Sequence, residues 1–145
     1  MNLLISLSMT ILMNVCQFQT HDSDFIQISE AVHSFVKAVD KQNTEATAKI
    51  LHKDFRAIVN QAFGSDKVDI LNKTTYLDLM KKGVIGGDER SVLITSIDMV
   101  GNNATVKAIF TGKDLVFETF VQLVKNTNGE WRIISDLPTI EKIKK

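Results

Sequence analysis

The sequence predicts one α+β domain in which a strongly bent, mostly antiparallel sheet wraps around an N-terminal helix. Three observations predict it. The chain has 145 residues, which is the length of one ordinary domain. An amphipathic helical pattern opens the charged part of the chain, and β-prone segments separated by short turns fill its C-terminal half. Short turns between consecutive strands indicate an antiparallel meander rather than parallel strands with crossover helices.

The first 19 residues are predicted to be a signal peptide, which leaves residues 20–145 as a single domain. Residues 1–19 contain no Lys, Arg, Asp or Glu, and residues 3–15 are almost wholly apolar. Such a run fits the apolar core of a signal peptide and is short for a membrane-spanning helix. We therefore expect an exported protein, periplasmic or secreted, with no stable membrane span. Cys16 is the one cysteine, so no intrachain disulfide is possible.

Two helices are predicted at the start of the mature chain. Asn43 is suited to cap the second helix, which is short and is expected to run through Leu51. His52 is expected to close it, where a cation would suit the helix dipole. The first helix is longer, and its apolar residues recur at steps of three and four and form one stripe: Phe25, Ile28, Val32, Phe35, Val36 and Val39.

A hairpin and a third helix are expected before the meander. Residues 55–63 are β-prone, residues 64–67 form a turn, and residues 68–71 form the return strand. Thr74 or Thr75 is expected to cap the third helix. Four strands are then predicted, the last of them ended by Pro138: residues 90–100, 104–111, 115–125 and 131–137.

The order of these elements resembles the nuclear transport factor 2-like superfamily. The local motifs that carry the resemblance are HKDF at 52–55, TTYLDLM at 74–80 and NGEWRII at 128–134. Over residues 24–137 the chain is most similar to the branch described as "Putative lumazine-binding", with the SnoaL-like polyketide cyclases as near relatives. The resemblance implies a cystatin-like cone with an apolar pocket open at one end. In this superfamily the same pocket serves enzymes and non-catalytic binding domains, so the pocket residues must decide the function.

Charge and motifs exclude several classes of function. The chain has 17 basic and 17 acidic side chains and no basic stripe, so no nucleic-acid partner is expected. His21, His33 and His52 lack metal-ligand spacing, and there is no second cysteine, so no metal site is predicted. The pair Gly86-Gly87 lacks the Lys and Ser/Thr of a phosphate-binding loop. No cofactor is expected.

The resemblance also indicates where an isomerase would keep its acid. When the chains are aligned on the Asn128-Gly129 turn, Val121 stands at that position, and valine can donate no hydrogen bond. Residues 57–59 offer no base either. Isomerase chemistry of that kind is therefore not expected. If Val121 faces inward, the period-two rule puts four neighbours on the same side: Leu115, Phe117, Thr119 and Leu123.

We expect a non-catalytic pocket that binds a small apolar or aromatic molecule, with no catalytic residue assigned. His33 and Asp136 are its polar candidates. The other residues expected to line it are Phe35, Phe55, Tyr76, Phe117, Thr119 and Ile133.

Two alternatives remain open. One is a SnoaL-like cyclase, dehydratase or isomerase-type enzyme that uses His33 with Asp136 or Tyr76. The other is a dimeric protein-interaction module. A homodimer is expected to form through the outer face of the sheet, where three apolar residues form a row: Val116, Phe120 and Val124.

Overall fold

The computed structural model describes residues 22–144, and three α-helices lie in this part of the chain. Helix α1 covers 22–40, α2 covers Thr44–Ile50 and α3 covers Lys73–Lys81. The predicted signal peptide lies outside the described residues. Asn43 caps α2 as predicted, because its side chain accepts a hydrogen bond of 3.0 Å from the backbone N–H of Ala46. Asn72 caps α3 in the same way, in place of the threonines expected there.

Within residues 22–144, six strands form one bent sheet in the order β2-β1-β6-β5-β4-β3. All neighbours are antiparallel except β1 and β6, which are parallel. A short 3₁₀ turn, Ala62–Gly64, connects β1 to β2. The α+β class with a mostly antiparallel sheet is confirmed. The strands are β1 Leu51–Asn60, β2 Val68–Asn72, β3 Ser91–Val100, β4 Asn103–Thr111, β5 Leu115–Lys125 and β6 Trp131–Lys142.

The boundary between α2 and β1 differs from the prediction. Helix α2 ends at Ile50, and His52 lies in β1 rather than at the end of the helix. Leu51 is already paired with Ile133 of β6 and is 2% exposed. Because a strand at this point buries Leu51 in the core, tertiary packing ends the helix earlier than local propensity indicates.

The prediction that Pro138 ends the last strand is wrong. Strand β6 continues to Lys142, and Pro138 is paired with Thr119 of β5. The pairing of β6 with β1 stops at Ala57 and Asp136, so Pro138 lies beyond it. A proline is tolerated in a strand where its missing N–H would have had no backbone hydrogen-bond partner on a neighbouring strand.

The core lies between α1 and the concave face of the sheet. The apolar stripe of α1 is buried as predicted, with Ile28 and Val32 fully inaccessible, except that Phe25 is 38% exposed. Strands β4 and β5 contribute Val106 and Val121, which face each other across the two strands. An aromatic cluster joins three elements, with ring centroids 5.3 to 6.4 Å apart: Phe35, Phe55 and Tyr76.

Asp24 attaches the beginning of α1 to the sheet. Its Oδ1 accepts hydrogen bonds from Lys125 Nζ at 2.7 Å and from Trp131 Nε1 at 3.0 Å. Both donors lie at one end of the β5–β6 pair, where they are paired with each other. The helix therefore runs from this end of the sheet toward the other. No helix among residues 22–144 has the length and apolar character needed to cross a membrane.

Candidate functional site

A cavity of about 380 Å³ opens at the end of the sheet toward which α1 points. Most of its wall is apolar, and three charged side chains interrupt that wall. Helix α3 and the loop that follows it close one side. The lining residues are Val39, Ala57, Val59, Phe63, Leu71, Tyr76, Leu79, Val84, Ile85, Gly86, Asp88, Arg90, Phe110, Leu115, Phe117, Asp136, Pro138 and Ile140.

Gly86 allows the loop after α3 to lie directly on α1. Its φ is +85°, a left-handed conformation that glycine adopts without strain. A Cβ at this position would collide with the carbonyl oxygen of Val39. Gly86 therefore has a packing role in the cavity wall.

A β-bulge in β6 turns Asp136 toward the interior. Trp131 and Ile133 are buried two residues apart, and the next buried residue of the strand is Asp136. Between these positions the register with β5 shifts by one residue. Regular alternation would bury Leu137 and expose Asp136. Instead Leu137 is 41% exposed and Asp136 is 8% exposed.

The carboxyl of Asp136 is buried and has one hydrogen-bond donor within the described residues. Thr119 Oγ1 donates to Asp136 Oδ1 at 2.6 Å from the adjacent strand. Burial raises the pKa of Asp136 to about 6, while the hydrogen bond from Thr119 and the positive charge of Arg90 limit the rise. The carboxyl is therefore mostly ionised at pH 7 and titrates slightly below it.

Tyr76 brings a phenol into the same wall from α3. Its side chain is 7% exposed, and burial raises its pKa above the ordinary value of 10.0. The negative charges of Asp136 and Asp40 raise that pKa further, while Arg90 opposes them. The hydroxyl therefore keeps its proton at neutral pH and can donate a hydrogen bond.

Arg90 is the cation of the cavity wall. Its Nε donates to Asp40 Oδ1 at 2.6 Å, and its backbone N–H donates to Asp40 Oδ2 at 2.8 Å. The side chains of the pair are 12% and 9% exposed. The guanidinium carbon lies 5.7 Å from the ring centre of Phe110 and 5.2 Å from that of Phe117. Arg90 was not among the predicted site residues, although it begins the strand predicted for residues 90–100 and its spacing of two from the inward-facing Val92 places it on the interior side.

The predicted site residues divide between the cavity and the core. Tyr76, Phe117 and Asp136 line the cavity. Thr119 is 1% exposed and supports the carboxyl of Asp136. The other three apolar candidates are packed in the core and are absent from the cavity wall: Phe35, Phe55 and Ile133.

His33 lies outside the cavity. It is exposed on α1, and its Nδ1 is 2.9 Å from the carbonyl oxygen of Ser29. It borders a separate surface groove with Lys37 and Lys41. The structure therefore does not bring His33 together with Asp136 or Tyr76. The physical reason is that His33 follows the buried Val32 by one residue, which rotates it off the apolar stripe.

Asp136, which supplies the carboxyl of the site, lies on β6 next to Val121 of β5. Val121 is fully buried and is the direct cross-strand partner of Asp136. Thr119, Val121 and Leu123 are all buried, as the period-two prediction required, and the two residues nearer the cavity, Leu115 and Phe117, are half-buried. Residues 57–59 supply no acid or base.

Within residues 22–144, no group of three or more His, Cys, Asp or Glu side chains lies close enough to hold a metal ion.

On the outer face of the sheet, Phe120 is 48% exposed and is paired with the exposed Leu137. Val116 and Val124, on the same face of β5, are half-buried.

Solved structures share this fold at low sequence identity. A nuclear transport factor 2-like protein of unknown function from Silicibacter pomeroyi superposes with a TM-score of 0.72 at 14% identity, covering 83% of this chain and 98% of its own. A cystatin-like protein of unknown function from Nostoc punctiforme gives 0.68 at 16%, covering 81% and 91%. A ketosteroid isomerase-like protein from Erwinia carotovora atroseptica gives 0.64 at 13%, covering 83% and 96%. These similarities establish the fold.

The family comparison covers most of the chain. No protein of curated function matches the sequence. The model of the family described as "Putative lumazine-binding" matches residues 23–137. That span contains α1 from residue 23 onward, the whole of α2 and α3, and the strands up to Leu137 of β6. The chain belongs to this family, and its fold is that of the nuclear transport factor 2-like proteins.

Proposed function

We propose that this domain binds a small, mostly apolar molecule in the cavity beside Asp136 and catalyses no reaction on it. The observation that carries the proposal is the inward-turned carboxyl in an otherwise apolar cavity of about 380 Å³. A bulge that exposes Leu137 and buries Asp136 works against stability. Such a departure from the regular alternation of a strand is expected at a ligand-binding site.

The cavity has the composition of a ligand pocket. Its wall is mostly apolar, which supplies binding energy by excluding water, and a few polar groups can fix the ligand's orientation. The family description names lumazine, a flat heterocycle, and the volume is sufficient for a molecule of that size. Lumazine is therefore the first probe for this cavity.

Binding can be tested by filling the cavity. Val59 lines it, whereas its neighbour Ile58 is equally half-buried on β1 but does not. We expect Val59→Trp to weaken lumazine binding more than about tenfold in calorimetric titration, because the indole occupies the ligand volume. Ile58→Trp is the matched control and is expected to bind like the unmodified protein. Equal binding by all three proteins would place the ligand elsewhere.

Acid–base catalysis is the second candidate function, and one observation favours it. A buried carboxyl with a pKa of about 6 can exchange a proton near neutral pH, and Tyr76 in the same wall can donate a hydrogen bond to a developing oxyanion. His33 has no part in this version. Turnover of a cyclic ketone or its enol that is abolished by Asp136→Asn would establish the catalytic function and overturn the binding-only proposal.

Export is proposed from the sequence of residues 1–19, which carry no charged side chain. The proposed compartment is the bacterial periplasm or the extracellular medium. Expression of the full chain in a bacterial host followed by N-terminal sequencing tests the proposal. A mature protein that begins near residue 20 would support it, and an uncleaved cytoplasmic protein would contradict it.

A homodimer through the outer face of the sheet is proposed from the exposed apolar residues there. Phe120 and Leu137 form the centre of this surface, which a second copy would cover. We expect sedimentation equilibrium to show a dimer that Phe120→Glu converts to a monomer. A monomer at all micromolar concentrations would contradict the proposal.

A further inference from the structure

A surface groove of about 530 Å³ lies beside the ligand cavity, along α1. It is the groove that His33 borders, and two of its lining residues are the apolar Val36 and Val92. Val36 is 1% exposed, and Val92 packs against the core. An apolar chain that reached the groove would therefore find apolar side chains to contact.

The wall between the cavity and the groove is a single segment of the chain. Gly86 and Asp88 line the cavity, whereas Gly87 and Glu89 line the groove. Arg90 lines both. Because consecutive residues border opposite voids, the two voids are separated here by the thickness of this one segment.

The end of α1 holds this segment in place. Val39 lines the cavity and Asp40 lines the groove, so the helix ends on the same wall. The carbonyl oxygen of Asp40 accepts a hydrogen bond of 2.9 Å from the backbone N–H of Gly87. Gly86 lies so close to the carbonyl oxygen of Val39 that no Cβ fits between them. The backbone of the wall is therefore packed directly on the helix.

The side chain of Arg90 connects the two sides of this wall. Its guanidinium carbon lies 5.2 Å from the ring centre of Phe117 and 5.7 Å from that of Phe110, and both residues line the cavity. Its Nε donates a hydrogen bond of 2.6 Å to Asp40, which lines the groove. The guanidinium therefore lies between two aromatic rings of the cavity and a carboxyl of the groove.

The pairing with Asp40 restricts the movement of this side chain. Asp40 Oδ1 accepts from Nε of Arg90, and Asp40 Oδ2 accepts from the backbone N–H of Arg90 at 2.8 Å. The two side chains are 12% and 9% exposed. Rotation of the guanidinium away from the carboxyl is costly, because it would leave two buried charges unpaired. The side chain of Arg90 is therefore a rigid part of the wall.

We infer that Arg90 is a specificity-determining residue, which closes the cavity on the side of α1 and restricts its ligand to compact molecules. The inference rests on the proposed function and names the size class of the ligand. A small residue at position 90 joins the cavity to the groove, and a long apolar chain then continues over Val36 and Val92. Arg90 excludes long-chain lipids from this path.

Two double variants that differ only in the side chain at position 90 test the inference. Asp40→Asn combined with Arg90→Met removes both charges and keeps a long side chain. Asp40→Asn combined with Arg90→Ala removes the same charges and leaves a gap. Replacing both partners avoids an unpaired buried charge. The probes are n-alkanols from hexanol to dodecanol, titrated calorimetrically into both variants and into the unmodified protein.

The expected difference is in the chain length at which the affinity stops rising. Each methylene that enters an apolar cavity tightens binding about fourfold. For the unmodified protein and the variant with Met, we expect the gain to stop at the same alkanol. For the variant with Ala the gain continues to longer alkanols, and dodecanol binds about tenfold more tightly than it binds to the variant with Met. The same stopping point in both variants would overturn the inference.

A measurement on the unmodified protein keeps the inference testable if the variant with Ala does not fold. In ¹H–¹⁵N correlation spectra, we expect dodecanol to shift the amide signal of Ala57 in the cavity wall. The signals of Lys37 and Glu89 in the groove are expected to stay unchanged. Shifts at Lys37 and Glu89 with dodecanol, but not with hexanol, would show that the chain already passes Arg90, and the inference would be wrong.

Val59→Trp separates a failure of this inference from a failure of the proposed function. If Val59→Trp weakens the binding of every alkanol, but the variants with Met and Ala stop at the same chain length, the cavity binds ligands and Arg90 does not set their size. If Val59→Trp leaves the affinity for every alkanol unchanged, the cavity is not the binding site and both proposals fail.

Discussion

The two ends of the sheet interior are built from the same strands and the same helix but are filled in opposite ways. At the end near Asp24, the cross-strand pair Ala104 and Leu123 is buried and lines no part of the cavity. At the other end the pair Phe110 with Phe117 stands beside a cavity of about 380 Å³, and Asp136 places a carboxyl there. The packed end stabilises the fold through close packing. The open end is less densely packed and contains a buried charge, and both features lower its contribution to stability. Such a division indicates that the open end is shaped for a ligand.

The largest expected difference between the ends is in the cost of removing leucine side chains from β5. Leu123 is 1% exposed in the packed end, whereas Leu115 is half-buried and lines the cavity. We expect Leu123→Ala to lower the free energy of unfolding by about 2–5 kcal/mol, because it creates a void in a filled core. Leu115→Ala is expected to cost about 1 kcal/mol, since that side chain already borders a void and is only partly removed from water. Urea denaturation of both variants makes the comparison, and equal losses would contradict the packing difference.

Removing the buried charge is expected to stabilise the open end. The pKa of Asp136 is about 6 in the folded protein against an ordinary value of 3.8. A carboxyl with a raised folded-state pKa destabilises the fold fully at a pH above that raised pKa, because the ionised group is less well solvated in the folded protein than in the unfolded chain. Asp136→Asn should therefore raise the free energy of unfolding at pH 7.5 by about 3 kcal/mol.

The pH dependence gives this prediction a second check. The gain from Asp136→Asn should shrink as the pH falls through about 6 and disappear below about 4, where the carboxyl is protonated in both states. Thermal denaturation across this range measures it. A gain that is independent of pH, or a loss at pH 7.5, would show that the charge is better accommodated than its burial indicates.

The smallest expected effect concerns the attachment of α1 at the packed end. Asp24→Ala removes the acceptor for Lys125 and Trp131 and should lower the free energy of unfolding by about 1–2 kcal/mol. Glu45, which is exposed and bonded to Lys49, is the control, and Glu45→Ala should cause no measurable change. Chemical denaturation of the two variants would contradict the role of Asp24 if both had the same stability as the unmodified protein.

Local patterns were sufficient for the packed end of the fold. The stripe on α1 follows the helical period, and the inward row through Val121 follows the strand period, so both could be assigned from the sequence. Boundaries were less accurate where tertiary pairing decides them, as at Leu51 and Pro138. There the energy of burial or the absence of a second strand partner outweighs the local preference.

The candidate site was only partly predictable for a different reason. Asp136 faces inward because a bulge adds one residue to the alternation of β6, and no period in the sequence marks that residue. Arg90 and Asp40 are fifty residues apart and meet only when β3 packs beside the end of α1. The imidazole of His33 is suited to acid–base chemistry, but His33 lies off the apolar face of α1 and does not reach the cavity. Long-range contacts of this kind require the structure.

The most direct test of the division between the two ends is ¹H–¹⁵N correlation NMR during titration with lumazine. We predict that amide signals of the open end shift, at Ala57, Phe110, Phe117 and Asp136, while those of Ala104 and Leu123 at the packed end stay unchanged. Shifts confined to the outer face of the sheet, or spread evenly over both ends, would contradict the claim that the open end is the binding site.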